Sequence, residues 1–170
     1  MLTALFFSIG VAAAATPNAC QVLTPREVAR VQGAKYKKTR LTESSDSGVT
    51  ISQCFYALPR LSDSVTVDLI RGQAREFWQK HFADINEASV LSVLREPEEE
   101  NRPRVVTGIG EKAVWTGNRM AGALYVLSGV TVVRVSVGGG GSEEQKIEHA
   151  RRLAERVVRR LLARSITSLA

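Results

Sequence analysis

Ala123-Leu-Tyr-Val-Leu-Ser-Gly-Val-Thr-Val-Val-Arg-Val-Ser-Val137 is the stretch around which the rest of the chain is organised. It holds two runs rich in β-branched and aromatic residues, separated by the turn signal Ser128-Gly129. Two such runs around a short turn predict a β-hairpin. The second run alternates, with Val133, Val135 and Val137 on one side and Val132, Arg134 and Ser136 on the other. We therefore expect the hairpin to have one buried face and one partly solvated face.

The residues after the hairpin predict one long amphipathic helix. Gly138–Gly141 is a connector, and Ser142-Glu-Glu-Gln145 has the pattern of a capping box, so the helix begins near Glu143. Apolar residues recur at helical spacing along one side as far as Leu162, and arginines occupy the other side. The apolar side needs a surface to pack on, and the valines of the hairpin supply one.

The residues before the hairpin predict two more helices and two strands. Thr24-Pro-Arg-Glu27 is a second capping box with proline at the first helical position, and Gly33 ends the short helix that it opens. Alternating apolar residues predict strands over Val49–Leu58 and Ser64–Ile70, antiparallel to each other. From Gln73 the apolar period becomes helical, which predicts an amphipathic helix packed on the sheet.

The remaining segments are less regular. Residues 34–48 are polar and are predicted to be a loop at least in part, and Glu96–Pro103 is predicted to be an exposed loop. Val90–Leu94 either extends the preceding helix or forms a short strand. Arg104–Trp115 is interpreted as a turn that leads into a strand. Together the elements predict an α+β fold: an antiparallel sheet of about five strands with helices that begin near Pro25, Gln73 and Glu143 packed against it.

The composition indicates one folded domain behind an export signal. The chain has 170 residues, 44% hydrophobic and 24% charged, which suits a single core. Leu2–Ala15 carries no charge and is too short to span a bilayer, and Ala13-x-Ala15 has the pattern of a cleavage site. We expect a signal peptide over residues 1–15, a single domain over residues 16–170, and a periplasmic or extracellular location. No Lys or Arg precedes the apolar run, and a buried N-terminal helix is the alternative interpretation.

The chain contains two cysteines, Cys20 and Cys54. In an exported protein an even number of cysteines favours a disulfide. In the chain-entropy model a bridge that closes a loop of about 35 residues stabilises the fold by roughly 3–4 kcal/mol. Lipid modification of Cys20 is the alternative, but the residues before it lack the spacing of a lipidation signal, and Cys54 would be left unpaired.

The chain is basic, with a formal net charge of +6 and a pI of about 9.7. An exported basic protein can meet anionic lipids, cell-wall polymers or an acidic partner, and export makes nucleic acid an unsuitable partner. Six arginines lie between Arg151 and Arg164 on the last helix. Four of them form a candidate interaction patch, for which the alternative is an ordinary solvated helix face. They are Arg152, Arg156, Arg159 and Arg160.

No motif carries recognisable chemistry. Gly108-Ile-Gly-Glu-Lys-Ala113 matches the dinucleotide fingerprint by letter, but strand and turn residues follow it where the fingerprint needs a helix, so we interpret its glycines as turn residues. His81 and His149 have no ligand partners at the spacing of a metal site. Glu111 and Asp68 could converge as a pair of carboxylates, but nothing singles them out. We therefore expect no catalytic, cofactor-binding or metal site, and no enzyme.

Several of these segments together resemble a known group of proteins. Cys20-Gln-Val-Leu-Thr-Pro-Arg-Glu-Val28, Gln53-Cys-Phe-Tyr56, Gly108-Ile-Gly-Glu-Lys-Ala-Val-Trp115 and the hairpin are similar to segments of small exported bacterial domains of unknown function. The resemblance implies a disulfide that joins the first helix to the first strand, and an antiparallel sheet flanked by helices, similar to the PsbP and Mog1 type. It implies no activity. The longer segment Ala83–Arg104 departs from the commonest version of the group.

Three functions follow as expectations. The leading one is a non-catalytic exported domain that binds a protein or a component of the cell envelope. The second is a carrier of a small apolar ligand held between sheet and helix, and the third is an uncharacterised enzyme. A large apolar cavity under Trp78 or Trp115 would favour the carrier, and a filled core with a basic patch on the last helix would favour the first function. A cleft with ionisable groups of perturbed pKa would favour the enzyme.

Overall fold

The computed structural model describes residues 16–83, residue 85 and residues 103–167, which form an antiparallel sheet flanked by helices. The strands are β1 (Lys38–Asp46), β2 (Val49–Ala57), β3 (Val65–Arg71), β4 (Arg104–Val105), β5 (Lys112–Gly117), β6 (Ala121–Ser128) and β7 (Thr131–Gly138). The helices are α1 (Pro25–Gln32), α2 (Ala74–Phe82) and α3 (Glu143–Thr167). Across the sheet the strand order is β1-β2-β3-β7-β6-β5-β4, and all six pairings are antiparallel. The predicted α+β class is therefore confirmed.

The predicted hairpin is formed by β6 and β7. Ser128 pairs with Thr131, so the two loop residues are Gly129 and Val130, one position later than the turn signal suggested. Gly129 has a φ of +59°, a conformation that favours glycine. Because β3 pairs with the free side of β7, the second strand of the hairpin becomes the middle strand of the sheet.

The first face of the sheet carries the main core. Helix α3 packs along β6 and β7, and α1 packs beside α3. Val133, Val135 and Val137 of β7 lie under α3, as predicted, and Trp115 of β5 is completely buried on the same face. The main contributors from the sheet and from α3 are Tyr56, Val67, Leu69, Leu124, Val126, Val133, Val135, Leu153, Ala154 and Val157.

The second face of the sheet is partly covered by α2. Trp78 and Phe82 of this helix pack on a smaller cluster that contains Ile70, Leu127 and Val132. These residues come from three adjacent strands, so the helix lies across the middle of the sheet. The predicted amphipathic helix after Gln73 is thus confirmed, and Trp78 and Phe82 are the aromatic residues that it buries against the sheet.

The prediction of about five strands is wrong, because the sheet has seven. The first missed strand is β1, which lies within the segment interpreted as a polar loop. Every residue of β1 is exposed, so no alternation of apolar side chains marks it, and only its backbone pairing with β2 makes it a strand. The second is β4, which has two residues and, among the described residues, pairs with Trp115 and Val114 of β5 alone.

The two cysteines form the predicted disulfide. Cys20 and Cys54 are bonded, with their Cα atoms 5.0 Å apart, and the bond joins the turn before α1 to the middle of β2. Two hydrogen bonds reinforce the connection: the Tyr56 hydroxyl donates to the Leu23 carbonyl, and the Ala19 amide donates to the Ser52 hydroxyl. The strand concerned is the second of the sheet, since β1 precedes it.

Both predicted capping boxes are present. The Thr24 side chain accepts from the Glu27 amide while the Glu27 carboxylate accepts from the Thr24 amide, and Gly33 ends α1 in the left-handed conformation. At α3 the Ser142 hydroxyl accepts from the Gln145 amide, and the Gln145 side chain accepts from the Ser142 amide. Local sequence therefore places the starts of two helices correctly.

Some predictions fall outside the described residues. They are the signal peptide over residues 1–15, the alternatives for Val90–Leu94 and most of the loop Glu96–Pro103. Within the described part of the chain, no helix combines the length and the apolar character needed to cross a bilayer.

Candidate functional site

A cleft lies between α2 and the chain around β4 and β5. Its volume is about 750 Å³, which is in the range of small-molecule sites. One wall is formed by Trp78 and Phe82 of α2 and by Ile85, and the other by the residues that lead from β4 into β5. The apolar side chains that line it are Trp78, Phe82, Ala83, Ile85, Val105, Val106, Ile109, Ala113 and Val114.

The turn at residues 108–111 shapes the far wall of the cleft. Gly108 and Gly110 have φ values of +80° and +60°, and a Cβ on Gly110 would collide with Val126 and with the Leu127 carbonyl. The chain continues from this turn into β5 and not into a helix. The glycines of the apparent fingerprint are therefore turn residues, as predicted, and they allow the turn to lie close against β6.

The rim of the cleft carries a small network of polar contacts. The Glu111 carboxylate accepts from the Gly129 amide at 2.7 Å and from Arg75 at 3.0 Å. The hydrogen bond from Gly129, aided by Arg75, lowers the pKa of Glu111. These contacts tie Glu111, which lines the cleft, to the turn of the central hairpin and to the start of α2. Gln79, Thr107 and Lys112 are the other polar side chains of its lining.

A separate polar row crosses the second face of the sheet. Asp68, Arg134 and Tyr125 lie side by side on β3, β7 and β6. Arg134 donates to Asp68 Oδ2 at 2.7 Å and to the Tyr125 hydroxyl at 3.0 Å. Burial alone would lower the pKa of Arg134, but Asp68 and Tyr125 raise it above the usual arginine value. The row is neutral overall, so it presents no net charge to a ligand.

One atom of this row is left without a partner. Asp68 Oδ1 is buried and makes no hydrogen bond within the described part of the chain. The row reaches the cleft through Tyr125, whose ring contacts Phe82 at 4.9 Å and which pairs with Val114. Asp68 itself is three strands from Val114, which is ~14 Å at the usual strand spacing. The buried acceptor therefore lies beyond the cleft and not in its wall.

The candidate arginine patch is divided between two roles. Arg160 makes a two-pronged ion pair with Glu27 of α1 at 2.8 and 2.9 Å and also donates to the Val22 carbonyl, and Arg156 reaches the same carboxylate at 3.3 Å. These two side chains hold α3 against α1. Arg152 pairs with Glu148 on its own helix, and Arg159 is exposed. Only part of the predicted patch therefore faces outward.

Glu27 is the centre of this clamp between α1 and α3. Burial would raise the pKa of its carboxyl, but the hydrogen bonds from Arg160 and Thr24 dominate and lower it from 4.5 to about 2. Burial, with the nearby Glu27 charge, also raises the pKa of the Tyr56 hydroxyl. Sequence reasoning placed Glu27 in a capping box but could not find its arginine partners, which follow it by more than a hundred residues.

The remaining candidate residues are scattered. His149 contacts the Gln32 side chain at 3.0 Å, and burial together with Arg152 lowers its pKa, while His81 stacks on Phe77. Glu111 and Asp68 bind different partners, so they do not form the carboxylate pair that was considered. Among the described residues, no three His, Cys, Asp or Glu side chains are grouped so that they could hold a metal ion.

Comparison with known proteins adds little to this description. No family model matches the chain, and no curated protein matches it. The resemblance to small exported domains of the PsbP and Mog1 type thus has no support from a family match and stays a prediction. Among solved structures, a GTP binding regulator from Thermotoga maritima is similar at 10% sequence identity, with a TM-score of 0.39 over 81% of this chain and 92% of that chain. A likeness this weak carries no argument about this protein.

Proposed function

We propose that the protein is an exported, non-catalytic binding domain that carries a small apolar molecule in the cleft between α2 and β5. The observation that supports this most is the cleft itself, which has a volume of about 750 Å³ and is lined by two aromatic, seven aliphatic and a few polar side chains. A predominantly apolar lining with a small number of polar groups is typical of sites for small molecules. The cleft is lined by Trp78, one of the two tryptophans beside which an apolar cavity was expected to favour a carrier.

The arginine patch gives less support to the first expected function, binding of a protein or a component of the cell envelope. Arg156 and Arg160 are held by Glu27, and Arg152 by Glu148, so their charges are already partly compensated inside the protein. Binding of a protein or an envelope component through this helix stays a prediction. An anionic surface would meet chiefly Arg159 and the outer part of Arg152, and the contact would be weak and sensitive to salt.

A neutral dye that fluoresces in apolar surroundings, such as Nile red, tests the proposed cleft. We expect saturable binding to the protein and displacement by a straight-chain alcohol such as decanol. Thr107 is exposed and lines the cleft, so Thr107→Trp should fill the entrance and weaken binding by at least about tenfold, a loss of roughly 1.4 kcal/mol.

Leu61→Trp is the matched control, because Leu61 is 76% exposed and is not part of the cleft lining. This variant should bind the dye as the unaltered protein does. Absence of saturable binding, or equal binding by the Thr107 variant, would rule out the cleft as the ligand site.

Export is part of the same proposal and has its own test. The disulfide supports it, since such bonds persist in oxidising compartments. When the full chain is produced in a bacterium with a periplasm, we expect intact mass to identify a mature protein that begins at Thr16. Recovery of the uncleaved chain from the cytoplasm alone would contradict export.

A further inference from the structure

Strand β1 forms one edge of the sheet and pairs only with β2 within the described part of the chain. It has nine residues, about 30 Å in length, and all nine are exposed. A long edge strand presents a row of unpaired backbone N–H and C=O groups to any strand that can lie beside it.

The turn between β1 and β2 determines which residues present these groups. Ser47 and Gly48 have φ values of +49° and +82°, as a two-residue type I′ turn requires, and a hydrogen bond across such a turn links Asp46 to Val49. Hydrogen-bonded positions alternate along an antiparallel pair. The even-numbered residues of β1 therefore bond to β2, and the odd-numbered ones, such as Leu41 and Glu43, direct their backbone groups outward.

We propose that β1 pairs with β1 of a second copy of this chain, antiparallel and symmetric about Thr42, to form one continuous sheet. In this register Lys38 of each copy lies directly opposite Asp46 of the other. Opposite charges at directly paired positions stabilise an antiparallel pair, and like charges destabilise it. The two-fold symmetry makes this contact twice, once at each end of the paired strands.

The charges of β1 disfavour the neighbouring registers. Because the odd-numbered residues bond outward in both copies, self-pairing has to be symmetric about a single residue. Symmetry about Arg40 would place Arg40 of one copy directly opposite Arg40 of the other. Symmetry about Glu43 would likewise place two Glu43 side chains opposite each other, and in both cases the charges repel. Symmetry about Leu41 would leave Lys38 opposite Ser44, without an ion pair. Symmetry about Thr42 gives two ion pairs and no facing like charges.

Charged residues on an edge strand often serve to prevent association. In β1 the charges are segregated, with Lys38 and Arg40 in the first half and Glu43 and Asp46 in the second. An antiparallel copy therefore meets the opposite sign at each end. A mixed arrangement of charges would repel all partners equally, whereas this one is complementary to itself.

Sedimentation equilibrium over a series of protein concentrations tests the pairing. The purified protein should change from monomer to dimer as concentration rises, and added salt should weaken the dimer. Lys38→Asp and Asp46→Lys should each abolish the dimer. An equimolar mixture of these two variants should dimerise again, because each then offers the charge that the other lacks.

Rescue in the mixture cannot arise within one molecule, since Lys38 and Asp46 are eight residues, or about 27 Å, apart along an extended strand. Lys35→Asp is the matched control: it makes the same change of charge at an exposed position outside β1 and should leave the dimer intact. A protein that stays monomeric at every concentration overturns the proposal. So does a dimer that the single variants leave unchanged, or a mixture that fails to associate.

Discussion

Glu27 illustrates how one side chain can serve two purposes. As the third residue of α1 it completes a capping box with Thr24, and its remaining hydrogen-bonding capacity is taken by Arg160 and Arg156 of α3. A carboxylate that is partly buried and bonded to two arginines and a helix cap favours its charged form. The first helix is therefore fixed to the last one by an ion pair that also orders its own first turn.

Replacing Glu27 by Gln should destabilise the protein by about 2 kcal/mol at neutral pH, a figure reduced for the solvent exposure of its arginine partners. The folded-state pKa of about 2 lies below the ordinary value of 4.5, so the carboxylate stabilises the fold above about pH 4.5 and loses that effect as pH falls towards 2. Urea unfolding from pH 7 to pH 2 should show the two proteins converging in stability at the acid end.

Glu148→Gln provides the comparison, because Glu148 pairs with Arg152 on the exposed side of α3. Its effect should be below about 0.5 kcal/mol at any pH. If the Glu27 variant were no less stable than this control at pH 7, the clamp would have no energetic role.

Val135 lies at the centre of β7 and is completely buried under α3. Val135→Asp places a carboxylate in the main core without a partner, and we expect it to abolish folding. Circular dichroism and thermal melting measure this. Val130→Asp introduces the same residue in the same hairpin at a position 76% exposed and should melt as the unaltered protein does. A cooperative transition at an unchanged temperature in the Val135 variant would contradict the assigned face of the strand.

At the scale of elements, those whose signal is local could be predicted from the sequence. Capping residues fixed the starts of α1 and α3, alternation predicted β2, β3 and the hairpin, and helical spacing of aromatic residues predicted α2. Strand β1 could not be predicted in this way, because both of its faces are exposed to solvent and only its hydrogen bonds to β2 define it as a strand. A pattern of apolar and polar side chains reveals which residues are buried. Strand β1 has no buried residue, so its sequence shows no such pattern.

The disulfide between the turn before α1 and β2 has a measurable signature. Non-reducing mass analysis should find the protein two hydrogen atoms lighter than its reduced form, and free thiols in protein folded under oxidising conditions would contradict the bond. Replacing Cys20 and Cys54 together by Ser should lower the free energy of unfolding by roughly 3 kcal/mol, since the bond spans a separation of 34 residues. The hydrogen bonds of Tyr56 with Leu23 and of Ala19 with Ser52 would then remain between these segments, so the turn before α1 should lose protection from hydrogen exchange earlier than it does in the unaltered protein.

At the scale of the whole molecule, the cleft and the arginine clamp arise from elements that are far apart in the sequence. The cleft needs α2 to lie against the turn at residues 108–111, and the clamp needs α1 to lie against α3. No rule based on spacing in the sequence predicts contacts between elements so far apart. The sequence therefore identified Trp78 and the arginines as candidate residues, but it could not predict the cleft or the clamp that they form. The spacing of the arginines likewise could not show that two of them, Arg156 and Arg160, bind Glu27.

The central position of β7 has a consequence for how the protein is made. Strand β3 pairs with β7, and the contacting residues Asp68 and Arg134 are 66 positions apart in the sequence. Helix α3, which covers the main core, is synthesised after β7. A growing chain that has not reached β7 holds two separate pieces of sheet with uncovered apolar faces, although both cysteines are already present. The disulfide can therefore close before the core exists, whereas cooperative folding has to follow synthesis of β7 and α3, because the one pairing between strands that are far apart in the sequence, β3 with β7, joins the two pieces of sheet.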